Sequence, residues 1–276
     1  QTITVDDQTA PVITSIPADT TVSCPSAVPA TNIGAVAASD SCGGTVTITV
    51  AADVISAQTC DNRYTITRTY TATDDCGNSS SSDQTITVDD QTAPTGTAPA
   101  DITDLQCIAD IPVEDIEAVI DEADNCSGTV TVTVADTDNG GTGDNGSPYT
   151  VTRTYTLKDG CGNETQLIQT ITAEDTTPPD ITDLNLPTPT AQCLFTITEA
   201  PKVHDNCAGE ITATGTDDDN LPITLPLEIN EQGAYNITWN FDDGNGNDID
   251  VIQTVVINDM QDPIALCKNI SRQLSD

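Results

Sequence analysis

The sequence predicts an all-β protein made of tandem immunoglobulin-like β-sandwich domains in an elongated array. Three observations lead to this prediction: a phrase that recurs at a nearly constant spacing, segments in which Thr alternates with larger residues, and a shortage of large apolar side chains. Aromatic residues make up only 3% of the 276 residues. Several small cores therefore fit this composition better than one large core.

The recurring phrase sets the domain boundaries. QTITVDDQTAP occupies residues 1–11 and returns unchanged at 84–94, and related versions start at residues 169 and 253. Similarity at one fixed period is typical of an array in which each unit packs mainly on itself. We predict repeat 1 at 10–92, repeat 2 at 93–177 and repeat 3 at 178–261. Residues 1–9 are expected to be the last strand of a preceding repeat, and 262–276 the start of a following one.

A second phrase predicts the strands. YTITRTYTATDDCGN (64–78), YTVTRTYTLKDGCGN (149–163) and GAYNITWNFDDGNGN (233–247) alternate with a period of two, which indicates a strand with one face inward. The closing D-x-x-G-N is turn chemistry, so the next strand should return as a hairpin. Counting the other apolar runs gives about seven short strands per repeat, as in a sandwich. Trp239 aligns with Tyr70 and Tyr155 and is expected in the core.

One inward-facing position in this phrase holds a charged residue. Arg68 and Arg153 fall in phase with the inward-facing residues. Either the stem of each Arg lines the edge of the core while its guanidinium reaches water, or the guanidinium pairs with a carboxylate. We favour the first interpretation.

The charge balance limits the partners. The chain has 7 Lys and Arg against 44 Asp and Glu, a formal net charge of −37. This excludes nucleic acid as a partner and favours counter-ions or divalent cations. No apolar run approaches the ~18 residues of a membrane span. The single His204 sits in a predicted turn beside Asp205, and no serine stands in a nucleophile-elbow context, so we predict no enzyme.

Ten cysteines without a C-x-x-C pair predict disulfides, and hence an exported protein. Aligning the repeats gives four positions. The first holds Cys24, Cys107 and Cys193, and the second holds Cys42, Cys126 and Cys207. The third holds Cys60, replaced by Asn145 in repeat 2. The fourth holds Cys76 and Cys161, replaced by Asn245 in repeat 3.

Repeat 3 keeps only the first two positions, so pairing within a repeat requires Cys193–Cys207. The equivalent bonds are Cys24–Cys42 and Cys107–Cys126, with Cys60–Cys76 completing repeat 1. Cys161 and Cys267 are then unpaired within the chain. A competing scheme pairs Cys42 with Cys76 and Cys126 with Cys161, because both turns should lie at one pole of the sandwich.

Carboxylates gather where one repeat should meet the next. The end of each recurring phrase should arrive at the pole that carries two turns of the following repeat. Calcium takes six to eight oxygens from groups of this kind, and a bound ion would stiffen the junction. The alternative is that these are ordinary turn and cap residues. The candidate ligands are Asp6, Asp7, Asp40, Asp74, Asp75 and Asn78 at the first junction, Asp89, Asp90, Asp124, Asp159 and Asn163 at the second, and Asp175, Asp205, Asp243 and Asn247 at the third.

The patterns D-x-T-x-P at each repeat start, D-N-C-x-G in the middle and D-x-C-G-N near the end resemble HYR-like immunoglobulin-fold repeats. Such repeats occur in very large secreted surface proteins of Bacteroidota, including gliding-motility adhesins of flavobacteria. The resemblance implies a non-catalytic, extracellular adhesin or filament on a bacterial surface. Its implied partners are neighbouring repeats, other copies in a fibre, and surface glycans or the substratum. It also implies O-glycosylation at Thr20 and Thr176.

Two rival functions are compatible with the same residues. The repeats could form an array that recognises glycans or another protein, or they could be accessory repeats of a secreted enzyme. A ligand-reading domain should carry a loop whose aromatic or polar content departs from that of its sister repeats. Trp239 is the only aromatic that differs in this way, and its alignment predicts a core position.

Overall fold

The computed structural model describes residues 1–4 and 6–260, and its regular structure is almost entirely β. The described residues form two compact units. The first contains Gln1–Asp101, Val113–Thr137 and Thr152–Thr170, and the second contains Ile102–Pro112, Asp138–Val151 and the residues from Ile171 onward. Within the described ranges, no helix has the length and apolarity needed to cross a membrane. The predicted class, tandem β-sandwich domains, is confirmed.

Repeat 1 lies in the first unit. Its elements are β1 (Val12–Ser15), β2 (Thr20–Val22), β3 (Ala37–Ser39), β4 (Thr47–Val50), β5 (Val54–Cys60), β6 (Arg63–Thr73) and β7 (Ser79–Asp89), with short 3₁₀ helices at Pro25–Ala27 and Ile33–Ala35. Strand β1 pairs antiparallel with β3, and a larger sheet has the order β2-β7-β6-β4, with β5 also bonded to β6. In that sheet β2 runs parallel to the last strand, so that Val22 lies opposite Val88.

Repeat 2 follows the same order with one strand fewer. Its elements are β8 (Thr95–Thr97), β9 (Ile102–Leu105), β10 (Ile120–Ala123), β11 (Thr131–Asp138), β12 (Tyr149–Lys158) and β13 (Glu164–Ala173), with 3₁₀ helices at Ile108–Asp110 and Ile116–Ala118. Strand β8 pairs antiparallel with β10, and β11, β12 and β13 are neighbours in one sheet. The end of β13 in the second unit pairs in parallel with β9, with Ile171 opposite Ile102.

Repeat 3 completes the second unit. Its strands are β14 (Thr190–Ala191), β15 (Phe195–Ile197), β16 (Lys202–Asp205), β17 (Gly209–Thr212), β18 (Thr214–Thr216), β19 (Leu227–Ile229), β20 (Gly233–Asp242) and β21 (Asp248–Ile257). The main sheet has the order β14-β21-β20-β18, and β15 pairs with β19 and β16 with β17. Here too the early strand runs parallel to the last one, with Thr190 opposite Val256.

Each predicted repeat has a core cluster of its own. The buried members are Ile66, Ile86 and Val88 in repeat 1, Val119, Tyr155 and Leu157 in repeat 2, and a larger set centred on Trp239 and Phe241 in repeat 3. The facing sheets approach closely, because a Cβ on Gly96 of β8 would lie 2.7 Å from Leu157 of β12. Three small cores are what the composition predicts. The exact repeat boundaries stay a prediction.

A buried aromatic–glutamine pair recurs in every repeat. Tyr70 donates to Gln84 and Tyr155 to Gln169, both at 3.3 Å, and the indole of Trp239 donates to Gln253 at 2.9 Å. Each glutamine amide then donates to a backbone carbonyl, that of Ala18, Ala100 or Pro187. Tyr and Trp are tolerated in a core when their polar atom finds such a partner. The predicted core position of Trp239, which is 1% exposed, is confirmed.

The favoured interpretation of the two arginines is wrong. Arg68 is 3% exposed, and its guanidinium binds both oxygens of Asp53 at 2.8 Å and the carbonyl of Pro29 at 2.9 Å. Arg153 is equally buried and binds both oxygens of Asp136 at 2.9 and 2.8 Å. A planar fork that meets a carboxylate with two parallel bonds satisfies the buried charge. Both arginines are therefore held by carboxylates inside the domain.

Candidate functional site

The junctions between repeats bring most of the predicted site residues together. Each D-x-x-G-N turn is closed by its own Asp. In repeat 2 the carboxylate of Asp159 accepts the backbone N–H groups of Cys161 and Asn163 at 2.8 Å and the side-chain amide of Asn163 at 2.7 Å. Burial opposes ionisation of Asp159, but these donors outweigh it and lower its pKa. The turn needs Gly162, because its φ of 89° is a conformation that favours glycine.

The asparagine of each turn also donates a hydrogen bond to the segment that arrives from the previous repeat. The side-chain amide of Asn163 donates to the backbone carbonyl of Asp90 at 3.1 Å. Asn78 makes the same bond to Asp7 at 3.0 Å, and Asn247 makes it to Asp175 at 3.1 Å. One amide thus joins the turn to the incoming chain at three equivalent places. We call this Asp–Asn–carbonyl arrangement the junction clamp.

Replacing Asn163 with Ala should weaken the junction clamp. The substitution removes a donor from a carboxylate oxygen of Asp159 and from the carbonyl of Asp90, so the first unit should lose about 1–3 kcal/mol of unfolding free energy. Urea unfolding followed by circular dichroism measures this loss. Asn32→Ala is the control, because Asn32 is exposed and its side chain caps nothing. Equal curves for the two variants would show that the clamp contributes nothing.

A second turn at each junction presents a carboxylate to the incoming chain. Asp40, Asp124 and Asp205 each accept the N–H of the cysteine two residues later, at 2.5, 2.8 and 2.8 Å. One oxygen of each Asp is used in this way. The other oxygen is buried and has no hydrogen-bond partner in all three cases. The sequence signal for this feature is the D-x-C spacing, which repeats at each junction.

At each junction this carboxylate lies close to a carboxylate of the segment that enters the repeat. Ligand atoms lie within 4.8 Å of one another in three groups: Asp7 with Asp40 and Cys42, Asp90 with Asp124 and Cys126, and Asp175 with Asp205 and Cys207. Asp90 is 0% exposed, and Asp175 and Asp205 are 1% exposed. One oxygen of Asp90 also lacks a partner. We call the second and third groups the Asp90–Asp124 pair and the Asp175–Asp205 pair.

The remaining predicted ligands are used elsewhere. Asp74, Asp159 and Asp243, with Asn78, Asn163 and Asn247, are bonded within the junction clamps. Asp6 accepts from Gln8, Asp75 accepts the N–H of Thr45 at 2.9 Å, and Asp89 binds Arg63 at 2.9 Å. These nine side chains are therefore engaged in turn, cap and ion-pair contacts. The two-carboxylate groups are the part of the predicted site that keeps free oxygens.

The disulfides are the largest departure from the sequence prediction. The bonds are Cys24–Cys126, Cys60–Cys161 and Cys107–Cys207, with Cα–Cα distances of 5.2, 5.3 and 5.4 Å. Cys42, Cys76 and Cys193 are free and exposed, and Cys267 lies outside the described residues. The expected bonds Cys24–Cys42, Cys60–Cys76, Cys107–Cys126 and Cys193–Cys207 are wrong. So are the competing pairs Cys42–Cys76 and Cys126–Cys161, and Cys161 is bonded rather than unpaired.

Strand order explains why the cysteines of one repeat do not meet. The first-position cysteine follows a strand that runs parallel to the last strand of its repeat, as Val22 beside Val88 does before Cys24. It therefore lies where the chain leaves the repeat. The second-position cysteine lies in the D-x-C turn, beside the segment that enters its repeat. The exit cysteine of one repeat thus meets the entry cysteine of the next.

The third cysteine position of one repeat pairs with the fourth cysteine position of the next repeat. Where one of these cysteines is replaced by Asn, its partner is replaced as well. Cys60 of repeat 1 is bonded to Cys161 of repeat 2. The next such pair would join residues 145 and 245, and both are Asn. Their backbones meet instead, with the N–H of Asn145 donating to the carbonyl of Asn245 at 2.8 Å, and the Asn145 amide donates to Asn247 at 2.8 Å. A hydrogen-bonded contact replaces the missing cystine.

Arg63 makes further hydrogen bonds at the junction of repeats 1 and 2. Its guanidinium donates to the carboxylate of Asp89 at 2.9 Å, to the carbonyl of Asp90, and to the carbonyl of Cys161 at 3.1 Å. Beside it, the Asn62 amide donates to the carbonyl of Ser127 at 3.1 Å. Sequence reasoning missed both residues, because no equivalent side chain recurs in the other repeats.

The other predicted site residues lie apart from the junction chemistry. His204 is exposed, but it lies in β16 rather than in a turn. Thr20 lies half-buried in β2, and Thr176 is exposed, with its hydroxyl donating to Gln106 at 3.2 Å. Modification of these threonines stays a prediction.

One family model matches repeat 1. Residues 12–88 match the family model described as an HYR-like domain with 4 cysteines. No curated protein matches the chain. Among solved structures, four extracellular domains of Drosophila N-cadherin match with 13% identity and a TM-score of 0.28, covering 92% of this chain and 76% of that one. A Bacteroides ovatus SGBP-B, solved with a mixed-linkage heptasaccharide, matches with 12% identity and a TM-score of 0.19, covering 92% and 71%.

Proposed function

We propose that this chain, in which residues 12–88 match an HYR-like domain, is a non-catalytic stalk segment of an extracellular repeat protein. The observation that carries the proposal is the register of the disulfides, which join each repeat to the next one. Two connections, the peptide chain and at least one cystine, then join repeat 1 to repeat 2 and repeat 2 to repeat 3. Disulfides persist in oxidising, extracellular space, and such bracing suits a part that transmits force rather than one that turns over substrate.

The finer assignment rests on the resemblance of the repeat motifs. By that resemblance the stalk belongs to a cell-surface adhesin or filament of a bacterium of the Bacteroidota, acting in adhesion or gliding. Its partners are neighbouring repeats, other copies in a fibre, and surface glycans or the substratum. The same register would use Cys193 toward a following repeat, and Cys42 and Cys76 toward a preceding one.

Two observations on the described residues favour a stalk over its rivals. The aromatic that departs from its sister repeats, Trp239, is 1% exposed and hydrogen-bonded to Gln253, so it offers no face for stacking on a sugar. His204 is exposed on β16, and the carboxylates at the junctions are held within turns. Neither supplies the cleft with unequal groups that acid–base chemistry uses.

Solution X-ray scattering of the 276-residue chain tests the proposal. A compact globule of this length should have a radius of gyration of about 19 Å. Three sandwiches placed end to end, each roughly 35 Å long from strands of about ten residues, should give about 30 Å. We expect the larger value in non-reducing buffer. A value near that of the globule would contradict a stalk, whatever the disulfide pattern.

A further inference from the structure

The unpartnered oxygens at the junctions suggest a ligand. The side chain of Asp90 is completely buried, yet one of its oxygens bonds to nothing, and the same is true of one oxygen of Asp124. The other oxygen of each has an ordinary task, since Asp90 accepts from Thr92 at 3.2 Å and Asp124 accepts from Cys126 at 2.8 Å. A buried carboxylate oxygen without a donor or cation costs free energy. A second carboxylate nearby adds repulsion, because ligand oxygens of Asp90 and Asp124 lie within 4.8 Å of each other.

Within the described part of the chain, no ion pair neutralises these carboxylates. Arg63 directs its guanidinium at the Asp89 carboxylate and at the backbone carbonyls of Asp90 and Cys161. The ion pairs found among residues 1–4 and 6–260 involve none of Asp90, Asp124, Asp175 and Asp205. A cation from solution would offset this buried negative charge.

The arrangement recurs one repeat later with one difference. Asp205 is 1% exposed and again has one oxygen without a partner. Asp175, facing it, already accepts the side-chain amide of Asn245 at 2.9 Å and the N–H of Thr177 at 3.1 Å. Repeat 2 has Cys161 at the position of Asn245, so no such amide reaches Asp90. The Asp175–Asp205 pair thus offers one free oxygen and the Asp90–Asp124 pair offers two.

We propose that the Asp90–Asp124 pair binds a calcium ion and that the Asp175–Asp205 pair binds a second one more weakly. Both pairs present hard carboxylate oxygens, which Ca²⁺ prefers, while the nearby sulfurs of Cys126 and Cys207 are in disulfides and cannot act as thiolates. A cavity of about 220 Å³ reaches Asp124 and is also lined by Asp61 and Asp159, so an ion and its waters can enter.

Isothermal titration of the chelator-treated chain with CaCl₂ in 150 mM NaCl tests the proposal. We expect saturable binding with dissociation constants of roughly 0.1–1 mM, the range of extracellular calcium modules. The Asp90–Asp124 site should bind more tightly than the other. Calcium should also raise the melting temperature of the chain.

Asp124→Asn separates a real site from the acidic surface. The new amide oxygen can still accept the N–H of Cys126, and the amide nitrogen can donate to the free oxygen of Asp90, so the turn should fold without calcium. We expect this variant to lose the tighter binding at least tenfold. Asp124→Asn/Asp205→Asn should lose both sites and the calcium-dependent rise in melting temperature.

Asp104→Asn is the matched control, because Asp104 is an exposed carboxylate on β9. It should bind calcium as the parent chain does. The proposal is overturned if the parent chain shows no saturable binding, or if the double variant binds like Asp104→Asn. Neither result bears on the stalk proposal, which is tested by molecular dimensions and does not depend on calcium.

Discussion

Removing the bond between Cys24 and Cys126 by a double Ala substitution is expected to lower the unfolding free energy of the first unit by about 4–5 kcal/mol. The cystine closes a loop across a sequence separation of 102 residues. In the chain-entropy model, closing a loop of that length lowers the conformational entropy of the unfolded chain. This raises the free energy of the unfolded chain by roughly the stated amount. Urea unfolding under non-reducing conditions measures the loss.

Cys42→Ala/Cys76→Ala is the matched control for that prediction. Both cysteines are exposed and free, and they occupy the second and fourth positions of repeat 1. Their removal should change the unfolding free energy by less than about 0.5 kcal/mol. If this control lost several kcal/mol, bonds of Cys42 and Cys76 within repeat 1 would be indicated instead.

Tryptic mapping reads the bond pattern directly. Cleavage after Lys and Arg places Cys60 in fragment 1–63 and Cys161 in fragment 159–202. Only the register found here joins these two fragments directly. It also joins fragment 69–153, which contains Cys107, to the fragment that begins at Val203 and contains Cys207. Pairing within repeats would instead join 159–202 to the fragment beginning at Val203.

Arg68→Ile is expected to destabilise the first unit by roughly 3 kcal/mol. The substitution leaves Asp53 without its bidentate partner and leaves the carbonyl of Pro29 without a donor. Breaking one side of a buried ion pair costs about 3–5 kcal/mol. The lower end applies because the Asp53 side chain is 32% exposed. Urea unfolding of the variant and parent chain gives the difference.

A second substitution should recover most of that loss. Replacing the whole pair with apolar residues, as in Arg68→Ile/Asp53→Val, should bring stability back to within about 1 kcal/mol of the parent chain. Repeat 3 already uses this solution, because Ile237 stands at the position of Arg68 and is 0% exposed. If Arg68→Ile alone were neutral, the guanidinium would be in water and the ion pair would contribute nothing.

Acid should reduce the difference between the parent chain and Arg68→Ile. The hydrogen bond from Arg68 lowers the pKa of Asp53 below its ordinary value of 3.8. A carboxyl group with a lowered folded pKa contributes its stability above the unfolded pKa and loses it as pH falls through the folded pKa. The two chains should therefore differ fully at neutral pH and converge below the folded-state pKa of Asp53. A gap that stays constant down to the lowest pH would contradict this role for Asp53.

The fold was predictable because every local signal agreed. Alternating Thr, the D-x-x-G-N turns and the fixed period all indicate hairpins packed on small cores, and the aromatic alignment placed Trp239 correctly. The segment 110–124, whose residues suit either a helical turn or a strand, contains both: a 3₁₀ turn at Ile116–Ala118 and strand β10 directly after it.

The disulfide pattern depends on which pole of the sandwich each cysteine reaches, and local signals do not give this. It requires knowing that an early strand runs parallel to the last one. One sequence signal did point to the answer. Asn145 in repeat 2 and Asn245 in repeat 3 replace the third and fourth cysteines together, as expected if those positions bond across a junction. Pairing within a repeat leaves Cys161 without a partner.

The predictions for the arginines and for the junction carboxylates were limited by the same missing information, the three-dimensional position of each partner group. A period of two places Arg68 on the inner face, but the position of its partner Asp53 depends on how β5 and the loop before it fold over β6. The D-x-C and D-x-x-G-N motifs identified the right turns. They could not reveal which oxygens are consumed by backbone N–H groups and which remain free, because that depends on the closed geometry of each turn.

Because the cystines join neighbouring repeats, they affect how the protein withstands extracellular proteases. A protease that cuts the connecting segment at residues 91–94 would leave repeats 1 and 2 attached through Cys24–Cys126 and Cys60–Cys161. Severing the backbone once would not release what lies beyond the cut. The two repeats therefore tolerate a single cut of the backbone. Separating them requires both cleavage of the backbone and reduction of the disulfides.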